Sequence, residues 1–367
     1  MTRKIRVGIL FGGKSAEHEV SLQSAKSIVD AIDKSKYDIT LIGIDKSGHW
    51  YLNDASTFLL HADNPKLIAL NKSNDSVALA PGASGHKLVS LSGSGNAGSI
   101  DVVFPVLHGP YGEDGAMQGL LKLADVPFVG SGVLGAAVSM DKDLMKRLLK
   151  AAGIPTPVFH VLHRESRGRI SYKEITDVLG APCFVKPANL GSSVGVSKVE
   201  NEKQLSQALE EAFQYDNKVV IEQYIVGREI ECSVLGNEDP IASVPGEVIT
   251  RHDFYSYEAK YIDEHGADLA IPAELTADVV EQIQALAIKT FKALCCEGMA
   301  RVDFFVTEDN NVYVNELNSI PGFTKISMYP KLWEASGIPY AELIDRLIQL
   351  ALERHERESK LKTDADL

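Results

Sequence analysis

The side chains best suited to chemistry lie in residues 299–322, MARVDFFVTEDNNVYVNELNSIPG, a pattern that predicts two strands joined by a polar turn. If the hairpin turns between residues 309 and 310, Asp303 pairs with Glu316, and their Cβ atoms lie about 5 Å apart. These two carboxylates, with Asn318 two residues further on, form a set of oxygen ligands that suits magnesium or manganese rather than zinc. A solvated outer face is the alternative interpretation of such an acidic hairpin.

Strand alternation also predicts which side chains share a face. The first strand should present on one face Arg301, Asp303 and Phe305. The second should present on one face Val312, Val314, Glu316 and Asn318.

Length and composition narrow the class of protein. The chain has 367 residues, enough for two or three domains, and its net charge of −13 argues against nucleic acid as the main partner. Its four cysteines form no CxxC pair, which favours a reduced cytoplasm. The apolar run at residues 7–11 is too short for a signal peptide, and no run approaches the roughly 18 residues of a membrane span.

The N-terminal third begins as an open α/β domain. A strand at residues 6–11 is followed by a Gly-rich turn, a helix and a second strand, which is a βαβ start. Glu17 and His18 lie beyond the carboxyl end of the first strand, where ligands bind in such sheets. A helix start that favours acidic residues explains them equally well. The turn, GGKSAEHE, is not a GxGxxG dinucleotide fingerprint, and residues 53–99 predict only short strands and loops.

The middle of the chain contains a lysine followed by a Gly/Ser loop. The strand CFVKP carries Lys186 near its end, and residues 189–196, NLGSSVGV, include Ser192 and Ser193. Backbone N–H groups, hydroxyls and a lysine can cradle phosphates. A hairpin turn is the alternative, and a hairpin whose Gly-rich tip covers phosphates satisfies both interpretations. Upstream, residues 141–152 predict an amphipathic helix that points inward Leu144, Leu148 and Leu149.

Residues 251–266, RHDFYSYEAKYIDEHG, are aromatic, charged and irregular, which is typical of a lid. Lys260 and Tyr261 are its candidate polar anchors. A long amphipathic helix is predicted after it, at residues 276–294.

Eight motifs in order resemble the ATP-grasp ligases, and among them the D-alanine–D-alanine ligase family, from residue 7 to about residue 353. The motifs are GGKSAEHEVS (12–21), HGPYGEDGAMQG (108–119), MDK (140–142), FVKP (184–187), GSSVGVSKV (191–199), YEAKY (257–261), ARVDFF (300–305) and NELNSIPGFT (315–324). Each motif is weak alone, but their order makes the match specific. It also favours a metal clamp, by which we mean a metal ion held by Asp303, Glu316 and Asn318.

The resemblance implies a role for each matching residue. ATP would be bound by Lys142, Lys186, Ser193, Lys260, Glu222 with Ile225 at the adenine, and Glu229 at the ribose. Two Mg²⁺ or Mn²⁺ ions would be bound by Asp303, Glu316 and Asn318. Arg301 would stabilise the oxyanion. A hydrogen-bonded trio that holds the first D-alanine and closes the lid would consist of Glu17, Ser192 and Tyr261. The substrate pockets would be lined by His108, Ser327 and Met328.

The same resemblance implies a three-domain ATP-grasp fold with an N-terminal open α/β domain at 1–135, a central lobe at 136–220 and a C-terminal lobe at 221–360. ATP would activate one D-alanine as D-alanyl phosphate, and a second would attack it to form D-alanyl-D-alanine for peptidoglycan. Ser319 stands where threonine is common in the family. Tyr261 favours the dipeptide over a D-alanine–D-lactate product.

Three other functions are weighed. Another ATP-grasp ligase could use the same nucleotide lobe, but the motifs SAEHEVS and YEAKY argue against it. A non-catalytic nucleotide-binding module would not need Arg301 beside the metal ligands, and an NAD enzyme is disfavoured by the missing fingerprint. The family is often dimeric, but no stripe in the sequence identifies an interface.

Overall fold

The structure, a computed structural model, describes residues 3–62, 64, 67–72, 75–82, 87–91, 96–166, 170–250 and 267–362. The predicted lid at residues 251–266, with Lys260 and Tyr261, lies outside the described residues. Three main sheets follow one another along the chain. The limits predicted for the three domains stay predictions.

The first unit has a mainly parallel sheet. Its elements are β1 (Ile5–Gly12), α1 (His18–Ala31), β2 (Tyr37–Ile44), β3 (Trp50–Asn53), β4 (Leu59–Leu60), β5 (Ala69–Leu70), β6 (Val77–Leu79), β7 (Lys87–Ser90), β8 (Asn96–Ser99), β9 (Val102–Val106), α2 (Ala116–Leu123) and α3 (Val133–Met140). The sheet order is β3-β2-β1-β9, and β1 is parallel to both β2 and β9, as the βαβ pattern predicts. The short strands β4 to β8 form two small sheets beside it.

The second unit has an antiparallel sheet. Its elements are α4 (Lys142–Ala151), β10 (Phe159–His163), a 3₁₀ turn (Arg164–Ser166), α5 (Tyr172–Leu179), β11 (Cys183–Pro187), β12 (Ser197–Val199), α6 (Glu202–Tyr215) and β13 (Lys218–Gln223). The sheet order is β10-β13-β11-β12. Because β11 and β12 pair directly, the Gly/Ser loop is the tip of a hairpin, so the hairpin alternative is confirmed as structure.

Helix α4 buries a different face from the one predicted. Leu149 is buried, but Leu144 is 44% exposed and Leu148 is 38% exposed, so their inward placement is wrong. The inward face instead carries Met145 and, unexpectedly, Lys146. The hydrophobic pattern misplaced the helix because this face meets a buried carboxylate as well as the core, and a lysine satisfies both.

The third unit has a larger antiparallel sheet. Its elements are β14 (Arg228–Gly236), β15 (Ile241–Ala242), β16 (Gly246–Thr250), β17 (Ala267–Ala270), α7 (Ala277–Ala293), β18 (Gly298–Val306), β19 (Val312–Asn318), α8 (Met328–Ala335) and α9 (Tyr340–Ser359). The sheet order is β17-β16-β14-β18-β19, with β15 paired to β14. Helix α7 packs its apolar stripe on β14, β18 and β19.

The hairpin of β18 and β19 pairs Asp303 with Glu316, as predicted. Near the turn, however, Val306 pairs with Val312, which is one residue out of step with a turn between residues 309 and 310. A β-bulge, at which Asn315 is the extra residue in β19, restores the predicted pair.

The bulge also reverses the strand alternation. Val312, Val314 and Leu317 pack in the core behind the sheet. Glu316 and Asn318 lie on the other face, so the predicted common face of Val312, Val314, Glu316 and Asn318 is wrong. A bulge adds one residue and shifts the side-chain phase, which strict period-two counting cannot anticipate.

Helix α9 returns to the first unit. Its apolar face shares one core with β1, β9 and α1. Tyr37 donates a hydrogen bond to Asp345 at 2.7 Å, and buried Arg354 donates to the carbonyls of Phe128 and Gly130. The chain's end therefore ties the third unit to the first. No helix within the described residues is long and apolar enough to cross a membrane.

Candidate active site

The acidic hairpin surrounds one arginine. Arg301 donates to Asp303 through Nε at 2.7 Å and through Nη2 at 2.8 Å, and its Nε lies 2.9 Å from Glu231 of β14. Asn318 donates to Asp303 Oδ2 at 3.0 Å. Strand pairing explains the cluster, because Glu231 on β14 is opposite Asp303, which is opposite Glu316. A guanidinium held by two carboxylates is a rigid, preorganised cation.

The hairpin offers two carboxylates and one amide toward a metal ion. The described residues hold no cluster of three or more His, Cys, Asp or Glu side chains arranged as a metal site. Mg²⁺ is usually held by one or two carboxylates together with substrate phosphates and water, so the donor set of Asp303, Glu316 and Asn318 fits Mg²⁺. Two carboxylates that face each other repel unless a cation lies between them, and Arg301 neutralises only part of their charge.

A lysine from the second unit lies close to the acidic hairpin. Lys142, at the start of α4, lies 3.7 Å from Glu316 Oε2 and donates to the carbonyl of Leu190 at 2.6 Å. A pocket joins them, lined by Glu113, Ser139, Met140, Lys142, Leu190, Gly191, Glu316, Leu317, Asn318 and Ser319. Two predicted metal ligands, a predicted phosphate ligand and the Gly/Ser loop therefore line the same pocket.

A buried ion-pair network joins α4, β11 and β13. Lys186 Nζ is 2.7 Å from Glu222 Oε2, and Lys146 Nζ is 3.1 Å from Glu222 Oε1. Burial alone would raise the pKa of Glu222, but the two ammonium groups hold it well below its usual range. Glu222 is therefore ionised. Ile225 is half-buried just beyond β13, and Glu229 pairs with Phe305 and Val248 in the third sheet.

Glu17 and Ser192 meet although 175 residues separate them. Ser192 Oγ donates to Glu17 Oε1 at 2.5 Å, so the first unit touches the Gly/Ser loop of the second. Ser192 and Ser193 both have positive φ, at 54° and 59°, a left-handed conformation that strains the backbone of this turn. Two members of the predicted trio are thus in contact, and Tyr261 lies outside the described residues.

Gly109 makes room for Glu17. Its φ is +73°, and a Cβ there would lie 2.8 Å from Glu17 Oε2, so any side chain would displace the carboxylate.

His108 is fixed rather than exposed. Burial lowers its pKa, so the ring is neutral: Nδ1–H donates to the carbonyl of Ile320 at 2.9 Å, and Nε2 lies 3.4 Å from Ser24 Oγ. Ser327 precedes α8 and accepts from the backbone N–H of Thr324 at 3.0 Å. Met328 packs with Val248 and Leu332.

Sequence reasoning missed three residues. Burial, followed by the charge of Glu17, raises the pKa of Glu113 to about 8, and Ile320 N–H donates to its carboxyl at 3.2 Å. Glu231 forms an ion pair with Arg301, and Lys146 forms one with Glu222. The one available signal for Lys146 was its position four residues after Lys142, on the same helix face.

The second and third units meet where Lys142 approaches Glu316, and each is built on an antiparallel sheet. This arrangement of lysines, paired carboxylates and a Gly-rich hairpin defines the class of ATP-grasp ligases. The family model described as "D-ala D-ala ligase N-terminus" matches residues 6–131, and that described as "D-ala D-ala ligase C-terminus" matches residues 148–349. The chain belongs to the D-alanine–D-alanine ligase family.

Individual relatives agree over nearly the whole chain. A D-alanine–D-alanine ligase of Oceanobacillus iheyensis is 58% identical, over 98% of this chain and 98% of that protein. D-alanine–D-alanine ligase A of Escherichia coli K12 is 55% identical, over 98% of this chain and 99% of that protein. The solved D-alanine–D-alanine ligase of Coxiella burnetii has a TM-score of 0.84 at 43% identity, covering 97% of this chain and 96% of that one. The VanG D-Ala:D-Ser ligase of Enterococcus faecalis also has a TM-score of 0.84, at 35% identity, covering 95% and 100%.

Proposed function

We propose that this protein is an ADP-forming ligase that joins two D-alanine molecules into D-alanyl-D-alanine for peptidoglycan synthesis. The family membership supports the reaction, and one contact supports the site: Ser192 bound to Glu17 beside the pocket that holds Lys142 and Glu316. The alternative is an ATP-grasp ligase that joins D-alanine to another acceptor, such as D-lactate or D-serine.

The residue types suit an acyl-phosphate mechanism. A free carboxylate is a poor electrophile, so the acid must first be converted to an acyl phosphate. In that step Lys142 and Lys186 neutralise charge on the phosphate oxygens. Mg²⁺ held by Asp303, Glu316 and Asn318 supplies the remaining charge neutralisation when bound.

Arg301 serves the second step, in which the amine of the acceptor D-alanine attacks the acyl carbon. The tetrahedral oxyanion needs a fixed cation, and Arg301 is held in place by Asp303 and Glu231. Glu17, a carboxylate positioned by Ser192, suits the ammonium group of the first D-alanine. We assign the adenine and ribose to Glu222, Ile225 and Glu229, phosphate contacts also to Ser193 and Lys260, lid closure to Tyr261, and the substrate pockets to His108, Ser327 and Met328.

The test is ADP release with Mg²⁺ and ATP in the presence of D-alanine, L-alanine, D-serine with D-alanine, D-lactate with D-alanine, or no acid, with products identified by mass. D-alanine-dependent ADP release with D-alanyl-D-alanine as product is expected. If D-alanine joined to D-serine or D-lactate forms in place of the dipeptide, that compound is the acceptor instead of a second D-alanine. The absence of ADP release in every arm would overturn the proposal.

Three further parts of the proposal rest on the resemblance. They are a requirement for two Mg²⁺ or Mn²⁺ ions, a cytoplasmic location and a homodimer. Light scattering of the purified protein tests the dimer, for which a mass near twice 39.9 kDa is expected.

A further inference from the structure

Lys146 is a fully buried lysine that the mechanism above does not use. Burial lowers its pKa, and the charge of Glu222 opposes that shift. It lies on α4 one turn after Lys142, with 0% of its surface exposed. Its Nζ lies 3.1 Å from Glu222 Oε1, and it donates to Thr156 Oγ1 and to the carbonyl of Asn315, each at 3.2 Å. Partners from three segments therefore hold the ammonium group in one position.

Glu222 is the centre of the network, and its two cations differ in their surroundings. The Lys146 side chain is 1% exposed and has three anchors, whereas the Lys186 side chain is 14% exposed and bonds Glu222 at 2.7 Å. Lys186 is also the residue assigned to ATP phosphates. If Lys186 turns to a phosphate, Glu222 loses one of the two counter-charges that the described residues provide.

A buried carboxylate without a counter-charge is strongly unfavourable. We propose that Lys146 is the permanent counter-ion of Glu222 and thereby a positioning residue for ATP, because it frees Lys186 to exchange Glu222 for a phosphate oxygen. The proposal rests on the proposed function in one respect, namely that Lys186 binds phosphates. Lys146 itself does not touch the nucleotide.

The bond from Lys146 to Asn315 adds a second link. Asn315 is the bulge residue that turns Glu316 and Asn318 away from the core. The bond is one of the three anchors that fix the ammonium group beside Glu222.

The test compares Mg-ADP, which carries phosphates and Mg²⁺, with adenosine, which carries neither. In Lys146→Met, Lys186 becomes the sole cationic partner of Glu222 among the described residues, so binding of Mg-ADP should weaken about tenfold or more, while binding of adenosine should change less than about threefold. Calorimetry measures Mg-ADP, and displacement of a fluorescent ADP analogue measures adenosine. Lys146→Arg should restore most of the ADP affinity, and Lys150→Met, at an exposed position of the same helix, should leave both affinities unchanged.

A double variant separates this role from a merely structural one. With Glu222→Gln the carboxylate is gone, so adding Lys146→Met should not weaken Mg-ADP further. Equal losses of ADP and adenosine, an unchanged ADP affinity, or additive losses in the double variant would each overturn the proposal. If Lys146→Met does not fold, the double variant compared with Glu222→Gln decides. These measurements omit D-alanine, so failure of the dipeptide reaction and failure of the counter-ion role are seen separately.

Discussion

Glu113→Gln should stabilise the protein at neutral pH and flatten its pH dependence. Glu113 is buried, and burial together with the charge of Glu17 raises its pKa from 4.5 to about 8. Between these values the folded protein keeps the proton and the unfolded chain releases it, so stability falls as pH rises. Each pH unit costs about 1.4 kcal/mol, which amounts to about 3 kcal/mol at pH 7. The amide cannot ionise, and its oxygen can still accept from Ile320 N–H.

Urea denaturation at pH 5, 6, 7 and 8 measures this effect. Of the chain's two tryptophans, Trp50 packs against the core of the first unit, and Trp333, on α8 of the third unit, packs in the core that α9 shares with the first sheet. Their fluorescence therefore reports on unfolding of the first unit and of the core that it shares with the third. Wild type and variant should unfold at similar urea concentrations at pH 5 and diverge steadily toward pH 8. Glu353→Gln, at an exposed position of α9, should follow wild type. Parallel pH profiles for wild type and Glu113→Gln would refute the reasoning.

Three further predictions concern the third unit and α4. Arg301→Ala should lower kcat about 100-fold, because loss of an oxyanion donor costs roughly 3 kcal/mol; single-turnover kinetics in which the rate is unchanged would contradict this role. Asp303→Asn should abolish the strengthening of ADP binding by Mg²⁺, since one of two facing carboxylates is lost; calorimetry that still shows Mg²⁺-dependent affinity would exclude the clamp. Leu149→Ala should destabilise the protein by about 3 kcal/mol, whereas Leu148→Ala, partly exposed, should cost under about 1 kcal/mol; equal urea midpoints for the two variants would show that the helix phase is misplaced.

The sequence predicted the elements of the fold well where periodicity is strong. The parallel β1–α1–β2 start, the strand CFVKP and the hairpin at residues 299–322 all occur as expected. The pairing of Asp303 with Glu316 also occurs, although it depends on a bulge that offsets a one-residue error in the turn. Resemblance of eight ordered motifs was sufficient to predict the family, and the comparisons confirm it.

Sequence failed where burial and charge are combined. Leu144 and Leu148 look like core residues, yet α4 turns Lys146 inward because a buried carboxylate, Glu222, needs a partner. No local pattern indicates that partner, which is 76 residues away. The raised pKa of Glu113 likewise depends on its burial and then on the charge of Glu17, which lies 96 residues earlier in the chain.

The sequence by itself determined the residue types, the strand and helix periods and the order of the motifs, because these are local properties of the chain. Only the tertiary structure decided that Lys146 pairs with Glu222, that Arg301 is held by Glu231 as well as Asp303, and that α9 returns to the first sheet. Such contacts join segments far apart in the chain, and burial strengthens their electrostatics by excluding water. The chemistry assigned to this chain depends on those long-range contacts.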